Sequence, residues 1–379
     1  MSLMSYSNKK NVLFIFGTRP EAIKMAPLIK AMQKNSEFKV SVCVTGQHKE
    51  MLYQVLDFFK ITPNFDLKIM EPNQTLFSIT SKIIKQIELI FNKESFDLVI
   101  VQGDTTTAFV GALSAFYKQI PVAHVEAGLR TGNKYSPFPE EINRELVSKI
   151  AEFHFTPTEL SANNLVKEGI EKNVFTVGNT VIDALLLAKE IIKADGQKYI
   201  SKFSDINFDK KIVLITSHRR ESIGEGFKNI MNAILNLAEN NDIEILFPMH
   251  YSPSVRKAAK DAGLVNLHNI HIIDPLDYPS LVFAMEKSYL VLTDSGGIQE
   301  EAPSFGKPVL VMRNTTERPE GINAGVAKLI GTKTDSIIYE TEKLLANESE
   351  YKKMSNAINP YGDGKTSDKI LSLLKKYYQ

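Results

Sequence analysis

Residues 11–17 read NVLFIFG, an uninterrupted apolar run that ends at a glycine. A helical pattern follows over residues 20–33, and the same alternation of a short apolar run and a helical stretch returns along the chain. Runs that are apolar at every position are typical of strands buried on both faces, as in a parallel sheet covered by helices. The sequence therefore predicts a doubly wound α/β fold.

The predicted strands fall into two series separated by a polar stretch. They are residues 11–17, 39–45, 97–102, 121–125, 153–156 and 174–177, and then residues 211–216, 243–248, 270–273, 289–293 and 308–312. Residues 194–211 contain no strong strand and are interpreted as an interdomain linker. We expect two Rossmann-like doubly wound domains facing across a cleft, with residues 1–200 in the first and residues 201–364 in the second.

The composition excludes several classes of protein. Among 379 residues, 45 Lys and Arg balance 44 Asp and Glu, which argues against a nucleic-acid coat or an acidic tail protein. The single cysteine, Cys43, rules out an internal disulfide framework and a Cys-rich zinc site. No apolar run has the length of a membrane span and residues 1–10 lack the apolar core of a secretory signal, so we expect a cytoplasmic protein.

Polar and charged residues directly follow the predicted strands, where doubly wound sheets bind their ligands. These segments are residues 17–21 (GTRPE), 46–48 (GQH), 103–105 (GDT), 126–130 (EAGLR), 217–221 (SHRRE) and 294–297 (DSGG), together with His250. The sequence thus predicts a ligand site at the strand ends of both domains.

An anion is the first ligand that these segments suggest. At Ser295, Gly296 and Gly297 a strand leads into a helical stretch, so backbone N–H groups and the helix dipole favour a phosphate; an ordinary strand-to-helix turn is the competing interpretation. Cations from both halves suit a diphosphate, although each taken singly is more often a solvated or paired surface residue. They are Arg19, Lys24, Arg219, Arg220, Arg313 and Arg318.

Carboxylates are more numerous at the strand ends than simple binding requires. Asp104 and Glu126 each follow a strand and are expected to point into the cleft. Glu140 and Arg144 are four residues apart and share one helix face, for which a plain helix salt bridge is the simpler interpretation. Several carboxylates in one site can have their pKa values shifted apart and so supply an acid and a base.

No metal and no cofactor are expected. The histidines at positions 48, 124, 218 and 250 are dispersed, and none belongs to an HExxH or His/Cys spacing. A GxGxxG motif, a P-loop and a GxSxG elbow are all absent from the sequence. The residues alone therefore predict a two-domain α/β protein whose cleft suits a nucleotide diphosphate compound.

Several motifs together resemble the bacterial non-hydrolysing UDP-N-acetylglucosamine 2-epimerases. They are residues 16–27 (FGTRPEAIKMAP), 103–107 (GDTTT), 124–130 (HVEAGLR), 139–141 (PEE), 218–221 (HRRE), 294–303 (DSGGIQEEAP), 316–320 (TERPE) and 359–364 (NPYGDG). The match covers nearly the whole chain in order, which makes the set far more specific than any single motif.

The resemblance implies a glycosyltransferase-B-type fold in which a C-terminal helix, residues 365–379, packs back on the first domain. It implies interconversion of UDP-GlcNAc and UDP-ManNAc by elimination of UDP to 2-acetamidoglucal and re-addition, without a cofactor. It further implies a homodimer and a supply of UDP-ManNAc for cell-surface polysaccharide.

The resemblance also implies roles for individual residues. Catalytic positions map onto Asp104, Glu126, Glu140, Arg144 and His218, and substrate-binding positions onto Arg19, Lys24, Ser295, Gly296, Gly297 and Glu301. Gln47, Gln74, Arg219 and His250 match a regulatory site for a second UDP-GlcNAc. There Glu50 stands where a Gln is usual and Asn73 where an Arg is usual, so activation by UDP-GlcNAc is expected to be altered or absent.

Four other activities remain open at this point. They are a hydrolysing relative that releases ManNAc and UDP, an epimerase of a modified sugar nucleotide, a glycosyltransferase, and a nucleotide-sugar sensor without turnover. The complete set of Asp104, Glu126, Glu140 and His218 argues against a sensor, which has no need to keep all four. Which carboxylate is the base and which is the acid is not assigned by the sequence.

Overall fold

Parallel strands alternate with helices in the computed structural model, which describes residues 9–47, 49–71, 74–217, 224–240, 242–264 and 267–379. The described chain divides into two compact units, with unit 1 extending to Ala184 and including Gly362–Gln379, and unit 2 comprising Leu185–Tyr361. The division lies inside the helix Thr180–Ala194 and not at the predicted residue 200.

Unit 1 contains a seven-stranded sheet in the order β3-β2-β1-β4-β5-β6-β7, with every pairing parallel. The strands are β1 (Lys10–Phe16), β2 (Phe38–Val44), β3 (Phe65–Asp66), β4 (Leu98–Gln102), β5 (Val122–Val125), β6 (Phe153–Thr156) and β7 (Val174–Thr176). The helices are α1 (Arg19–Gln33), α2 (Lys49–Phe58), α3 (Leu76–Phe91), α4 (Thr106–Tyr117), α5 (Glu140–Ile150), α6 (Glu159–Lys167) and α7 (Thr180–Ala194), which runs on into unit 2.

Unit 2 contains a six-stranded sheet in the order β10-β9-β8-β11-β12-β13, again with every pairing parallel. The strands are β8 (Lys211–Thr216), β9 (Ile243–Pro248), β10 (Ile270–Ile273), β11 (Leu290–Thr293), β12 (Val309–Val311) and β13 (Ala327–Leu329). The helices are α8 (Gly196–Lys202), α9 (Glu225–Leu237), α10 (Pro253–Asp261), α11 (Tyr278–Lys287), α12 (Gly296–Glu301), α13 (Pro319–Asn323), α14 (Thr334–Ala346) and α15 (Glu348–Ser355), and a 3-10 turn spans Ala302–Phe305. The last helix, α16 (Thr366–Tyr378), belongs to unit 1.

Every strand predicted from an apolar run is present. In β1 the residues from Val12 to Phe16 have no exposed surface, as expected of a central strand covered on both faces. Two further strands, β3 and β13, are two and three residues long and are not predicted by the apolar pattern. An element of that length is too short to show a period, so only its neighbours in the sheet define it.

The predicted interdomain linker is wrong, because residues 194–211 are packed into unit 2. Tyr199 and Phe203 are 6% and 3% exposed, and their rings stack on Phe283 of α11 at centroid distances of 6.2 and 5.5 Å. Phe208 meets the same ring edge-on at 6.1 Å. The polar residues that suggested a linker form the outer face of α8, while aromatic residues in the segment fix it to the domain.

Helix α16 is attached to unit 1 at both of its ends. At its start the Asp183 carboxylate in α7 accepts hydrogen bonds from the backbone N–H groups of Thr366 (3.2 Å) and Ser367 (2.7 Å), which the helix leaves unsatisfied. At its end the Tyr377 ring packs on Phe153 at 4.6 Å. A carboxylate from distant sequence therefore caps the helix.

A close approach of backbone to side chain determines the geometry after β1. A Cβ atom on Gly17 would lie 2.0 Å from the Thr45 hydroxyl oxygen and 2.7 Å from that of Thr107. These two hydroxyls are themselves hydrogen-bonded at 3.0 Å. Because glycine has no Cβ, the backbone at position 17 can lie against these two hydroxyls. The loops after β1, β2 and β4 are therefore close together.

Three findings concern the classes of protein considered above. Cys43 is a free, buried thiol, and burial raises its pKa well above its ordinary value. The described residues include no group of three or more His, Cys, Asp or Glu that could hold a metal ion. Within the same residues, none of the helices combines the length and the hydropathy needed to cross a membrane.

Candidate active site

The functional residues predicted in unit 1 lie at one edge of its sheet. The strand order reverses between β1 and β4, and doubly wound sheets bind ligands at the carboxyl ends of such a pair. Arg19 begins α1 after β1, Asp104 follows β4, and Glu126 follows the adjacent β5. The topology therefore gathers these residues, as the sequence predicted.

Among the described residues, three side chains from three segments donate hydrogen bonds to Glu126. Lys24 Nζ in α1 lies 2.5 Å from Glu126 Oε1 and 2.7 Å from Oε2. Asn179 Nδ2 donates to Oε1 at 2.9 Å, and Gln102 Nε2 at the end of β4 donates to Oε2. The Lys24 and Glu126 side chains are only 16% and 6% exposed, so the ion pair is largely removed from water and the donors favour the charged carboxylate.

The backbone at Glu126 has an unusual conformation. Its φ of +63° lies in the left-handed region, which costs a residue with a Cβ on the order of 1–3 kcal/mol. The neighbouring turn after β4 uses a glycine for the same purpose, with a φ of +68° at Gly103. Strain retained at a charged, buried residue beside Asp104 indicates a functional position.

The Asp104 side chain accepts hydrogen bonds through one of its two carboxylate oxygens. Arg144 Nε in α5 donates to Asp104 Oδ2 at 3.1 Å, and Arg144 Nη2 donates to the same oxygen. Asn143 Nδ2 donates to the Asp104 backbone carbonyl at 2.9 Å. Asp104 Oδ1 accepts no hydrogen bond from any residue that the structure describes, so it is available to a ligand.

The helix salt bridge suggested for Glu140 and Arg144 is wrong. Arg144 instead donates to Asp104 and, through Nη1, to Glu141 Oε2 at 2.9 Å, which is an i,i+3 pair. Glu140 is the first residue of α5 and is partly buried, and its side chain makes no hydrogen bond or ion pair with the described part of the chain. Glu140, which the sequence suggested as the partner of Arg144, therefore has a carboxylate that is available to a ligand.

Sequence reasoning missed the role of Glu21, a buried carboxylate that joins two loops of the site. Its Oε2 accepts hydrogen bonds from Gly17 N (3.0 Å), Thr18 N (2.8 Å) and the Thr18 hydroxyl (2.8 Å). Its Oε1 accepts from the Thr105 hydroxyl at 2.7 Å, beside Asp104. Burial raises the pKa of Glu21 above its ordinary value. The T-x-x-E spacing of residues 18–21 is a capping-box signature and is the signal that identifies it.

His124 in β5 is a neutral structural histidine. It is fully buried, and its Nε2 lies 2.8 Å from the Gly103 carbonyl oxygen, to which it donates. Burial lowers the pKa of His124 to about 3, and burial likewise lowers the pKa of its cross-strand neighbour His154 to about 4. The imidazole therefore anchors the turn that precedes Asp104 and carries no charge at neutral pH.

The predicted anion loop of unit 2 also lies where a strand order reverses, between β8 and β11. The two strand ends are joined by a 2.6 Å hydrogen bond between the Thr216 and Thr293 hydroxyls, and Ser295 N donates to the Thr293 hydroxyl at 2.9 Å. Gly297 is exposed, and a Cβ there would meet no atom within 4 Å. The loop is thus exposed at Gly297, whereas Gly296 beside it is buried.

Two cations predicted for a diphosphate are paired within unit 2. Arg313 donates to both carboxylate oxygens of Glu317, at 2.9 and 3.2 Å. Arg318 Nε donates to Glu300, which is 2% exposed. Glu300 and Glu301 are the last two residues of α12, and Glu301 is itself 7% exposed. Arg318 therefore stabilises a buried carboxylate, whereas Arg313 is itself buried and pairs with the exposed Glu317.

The predicted regulatory residues are described only in part. Gln47 Oε1 accepts from the Thr107 hydroxyl at 3.4 Å, and Gln74 Nε2 donates to the Ile69 carbonyl, both in unit 1. His250 in unit 2 is exposed. The regulatory site stays a prediction.

Several of the predicted residues lie outside the described residues. They are His218, Arg219, Arg220 and Asn73. The catalytic role predicted for His218 and the regulatory role predicted for Arg219 therefore stay predictions. Of the two departures from the regulatory pattern, only Glu50 is described, and it is an exposed residue of α2.

The fold and the site together define a class, the two-domain Rossmann-like α/β proteins of the glycosyltransferase-B type. The profile of the family described as UDP-N-acetylglucosamine 2-epimerase matches residues 30–375. The chain belongs to this family.

Individual relatives match over nearly the full length. The UDP-N-acetylglucosamine 2-epimerase of Campylobacter jejuni is 52% identical, with 97% of this chain and 98% of the relative covered. That of Escherichia coli K12 is 50% identical over 96% and 98%. A crystal structure of the Neisseria meningitidis UDP-GlcNAc 2-epimerase bound to UDP-GlcNAc is 49% identical over 97% of this chain and 100% of that one, with a TM-score of 0.88. These matches confirm the predicted fold class.

His124 makes stability depend on pH in a predictable direction. The unfolded chain takes up a proton near pH 6.5 and the folded chain only near pH 3, so the stabilisation is complete above pH 6.5 and is lost as the pH falls. The free energy of unfolding of the wild type should therefore fall between pH 7.5 and pH 5.0, and His124 should account for about 2 kcal/mol of that fall. In His124→Gln, whose amide can still donate to the Gly103 carbonyl, the fall should be smaller by this amount. Urea unfolding at the two pH values measures this, and an unchanged pH dependence in the variant would contradict it.

Proposed function

We propose that the protein interconverts UDP-GlcNAc and UDP-ManNAc without net hydrolysis. Membership of the UDP-N-acetylglucosamine 2-epimerase family supports this proposal. The observation that carries it is the trio Asp104, Glu126 and Glu140, three carboxylates in three different environments, brought to unit 1 from β4, β5 and α5. A reaction that removes a proton from one face of a carbon and returns it to the other needs such a set.

The proposed reaction balances without an oxidant or a water molecule. A base removes the proton from C2 of the sugar, the C1–O bond breaks, and UDP leaves on the opposite face to give 2-acetamidoglucal. An acid then delivers a proton to the other face of C2, and the UDP oxygen adds back to C1. Bond making and breaking therefore require only proton carriers and groups that stabilise the departing UDP.

The geometry supports different roles for the three carboxylates. Asp104, with Oδ1 open, and Glu140, with no partner in the described residues, have lone pairs available for proton transfer. Glu126 is engaged by Lys24 and two amides, which suits a fixed negative charge that orients the sugar. We therefore assign proton transfer to Asp104 and Glu140 and orientation to Glu126.

Unit 2 is proposed to hold the nucleotide. Ser295, Gly296 and Gly297 are proposed to bind the diphosphate at a strand end, where Gly297 is exposed, and Glu301 to supply a carboxylate for the ribose. His218 and Arg19 are proposed to stabilise the charge of the departing UDP, as the resemblance implies. We also propose that the protein works in the cytoplasm and supplies UDP-ManNAc for cell-surface polysaccharide, both on the strength of family membership.

The reaction is tested by incubating the protein with UDP-GlcNAc in D2O and following the mixture by proton NMR. We expect UDP-ManNAc to form and deuterium to appear at C2 of both sugars, because each cycle exchanges the C2 proton with solvent. Accumulation of free ManNAc would instead support a hydrolysing enzyme. No change without an acceptor would support a glycosyltransferase or a sensor.

Carboxamide variants of the three site carboxylates test their roles in the same assay. Asp104→Asn, Glu126→Gln and Glu140→Gln should each lower turnover by about 10²–10⁴-fold, because each removes a charge or a proton carrier. Glu159→Gln changes an exposed glutamate of α6 in the same way and should leave turnover unaltered. Near-normal rates in all three site variants would refute the assigned roles.

We propose that the protein is a homodimer formed through α3, α4 and α5 of unit 1. These neighbouring helices expose large apolar side chains, and such surface is typical of an interface. They are Leu76, Phe77, Leu89, Phe116, Tyr117, Ile142 and Leu146.

Light scattering should give twice the chain mass of 42.5 kDa. Phe77, 88% exposed on α3, tests the surface: Phe77→Glu should lower the mass toward one chain. Ile358→Glu places a charge on an equally exposed apolar residue of unit 2, at 86%, and should leave the mass unchanged. A single-chain mass for the wild type would contradict the dimer.

A further inference from the structure

We propose that Glu141 is a positioning residue that fixes Arg144, and through it Asp104, while anchoring the start of the loop that leads to Glu140. The kinetic part of this proposal rests on the proposed function. The structural part does not, because the contacts concerned lie within unit 1 and can be measured without turnover.

The Glu141 carboxylate serves two sets of donors at once. Its side chain has no exposed surface. Oε1 accepts from the backbone N–H groups of Thr131 (2.7 Å) and Gly132 (2.8 Å), and Oε2 accepts from Arg144 Nη1 (2.9 Å). A buried carboxylate with a cation on one oxygen and two amides on the other is held in a single orientation.

The orientation of Glu141 is passed to Asp104 by the shape of the guanidinium group. The five N–H groups of arginine point in fixed directions in one plane, so fixing Nη1 also directs Nε and Nη2 of Arg144. Both of these donate to Asp104 Oδ2. Glu141 therefore helps to select the Asp104 rotamer that leaves Oδ1 available for proton transfer.

The same carboxylate fixes the loop between β5 and α5. From Thr131 to Phe138 every residue is exposed, including Tyr135 and Phe138 at 69% and 61%. Within the loop the Thr131 hydroxyl donates to the Ser136 carbonyl at 2.7 Å. Because residues 131–139 lead directly to Glu140, holding Thr131 and Gly132 to Glu141 limits the positions that Glu140 can adopt.

A carboxamide cannot perform both functions. Glutamine has one acceptor oxygen, so Glu141→Gln satisfies either the loop amides or Arg144 and turns an N–H group toward the other set of donors. Glu141→Asp keeps the charge but shortens the side chain by one methylene and cannot span both contacts. Glu244 provides a matched control, since it is 5% exposed in unit 2 and is paired with His271 at 2.6 Å and Lys210 at 3.2 Å.

The first measurement is hydrogen exchange of the folded wild type, Glu141→Gln, Glu141→Asp and Glu244→Gln, followed by mass spectrometry. Faster exchange of peptides covering residues 131–139 is expected in both Glu141 variants and not in Glu244→Gln. Unchanged exchange there in both Glu141 variants would overturn the anchoring. This result stands whether or not the wild type turns over UDP-GlcNAc, so it separates this proposal from the proposed function.

The second measurement is the split between kcat and KM. A displaced Asp104 should lower kcat by about 100-fold with little change in KM, because the nucleotide is held elsewhere. Glu244→Gln, which removes a comparable buried ion pair, should leave both unchanged. The positioning role would be overturned if kcat were equal in the wild type and the Glu141 variants, or if KM alone rose.

A double-mutant cycle identifies the route through Arg144. If Glu141 acts through Arg144, Glu141→Gln should cost far less in an Arg144→Lys background than in the wild type, because the fixed guanidinium is already lost. Fold-losses that multiply would show that the two residues act independently and would overturn this route.

Discussion

The arrangement of unit 1 depends on one buried carboxylate, Glu126. Its donors among the described residues come from α1, the end of β4 and the residue that precedes α7, so a single side chain fixes these segments relative to β5. Removing such a charge from water is costly unless it is paired and hydrogen-bonded, and here the strained backbone at Glu126 adds to that cost. The interactions that offset this cost are the same ones that bring Lys24 to the strand edge where Asp104 lies.

The other carboxylates of unit 1 differ in what surrounds them, and this difference gives the site its chemistry. Glu21 and Glu141 are fully engaged with neighbours and join loops, whereas Asp104 keeps one oxygen open and Glu140 has no partner in the described residues. Groups of one chemical type can thus divide into those that build the site and those that react. A uniform set of carboxylates would repel one another without such separation.

Sequence periodicity predicted much of the fold, because central strands of a parallel sheet are apolar at every position. It failed where tertiary contacts decide. The aromatic contacts of Tyr199 and Phe203 turn a polar stretch into part of unit 2, and Arg144 pairs across the chain with Asp104 instead of along its helix with Glu140. Helical spacing gives the residues that share a face, and the neighbouring loops decide which of them are paired.

We propose that epimerisation proceeds through cleavage of the C1–O bond, with Asp104 and Glu140 transferring the protons and Glu126 orienting the sugar. It is tested most directly with UDP-GlcNAc that carries oxygen-18 in the bridge between C1 and the β-phosphorus. If UDP leaves and returns, the label must spread to the non-bridging β-phosphate oxygens during turnover, which isotope shifts in the phosphorus NMR spectrum detect. Formation of UDP-ManNAc with the label still wholly in the bridge would contradict the account.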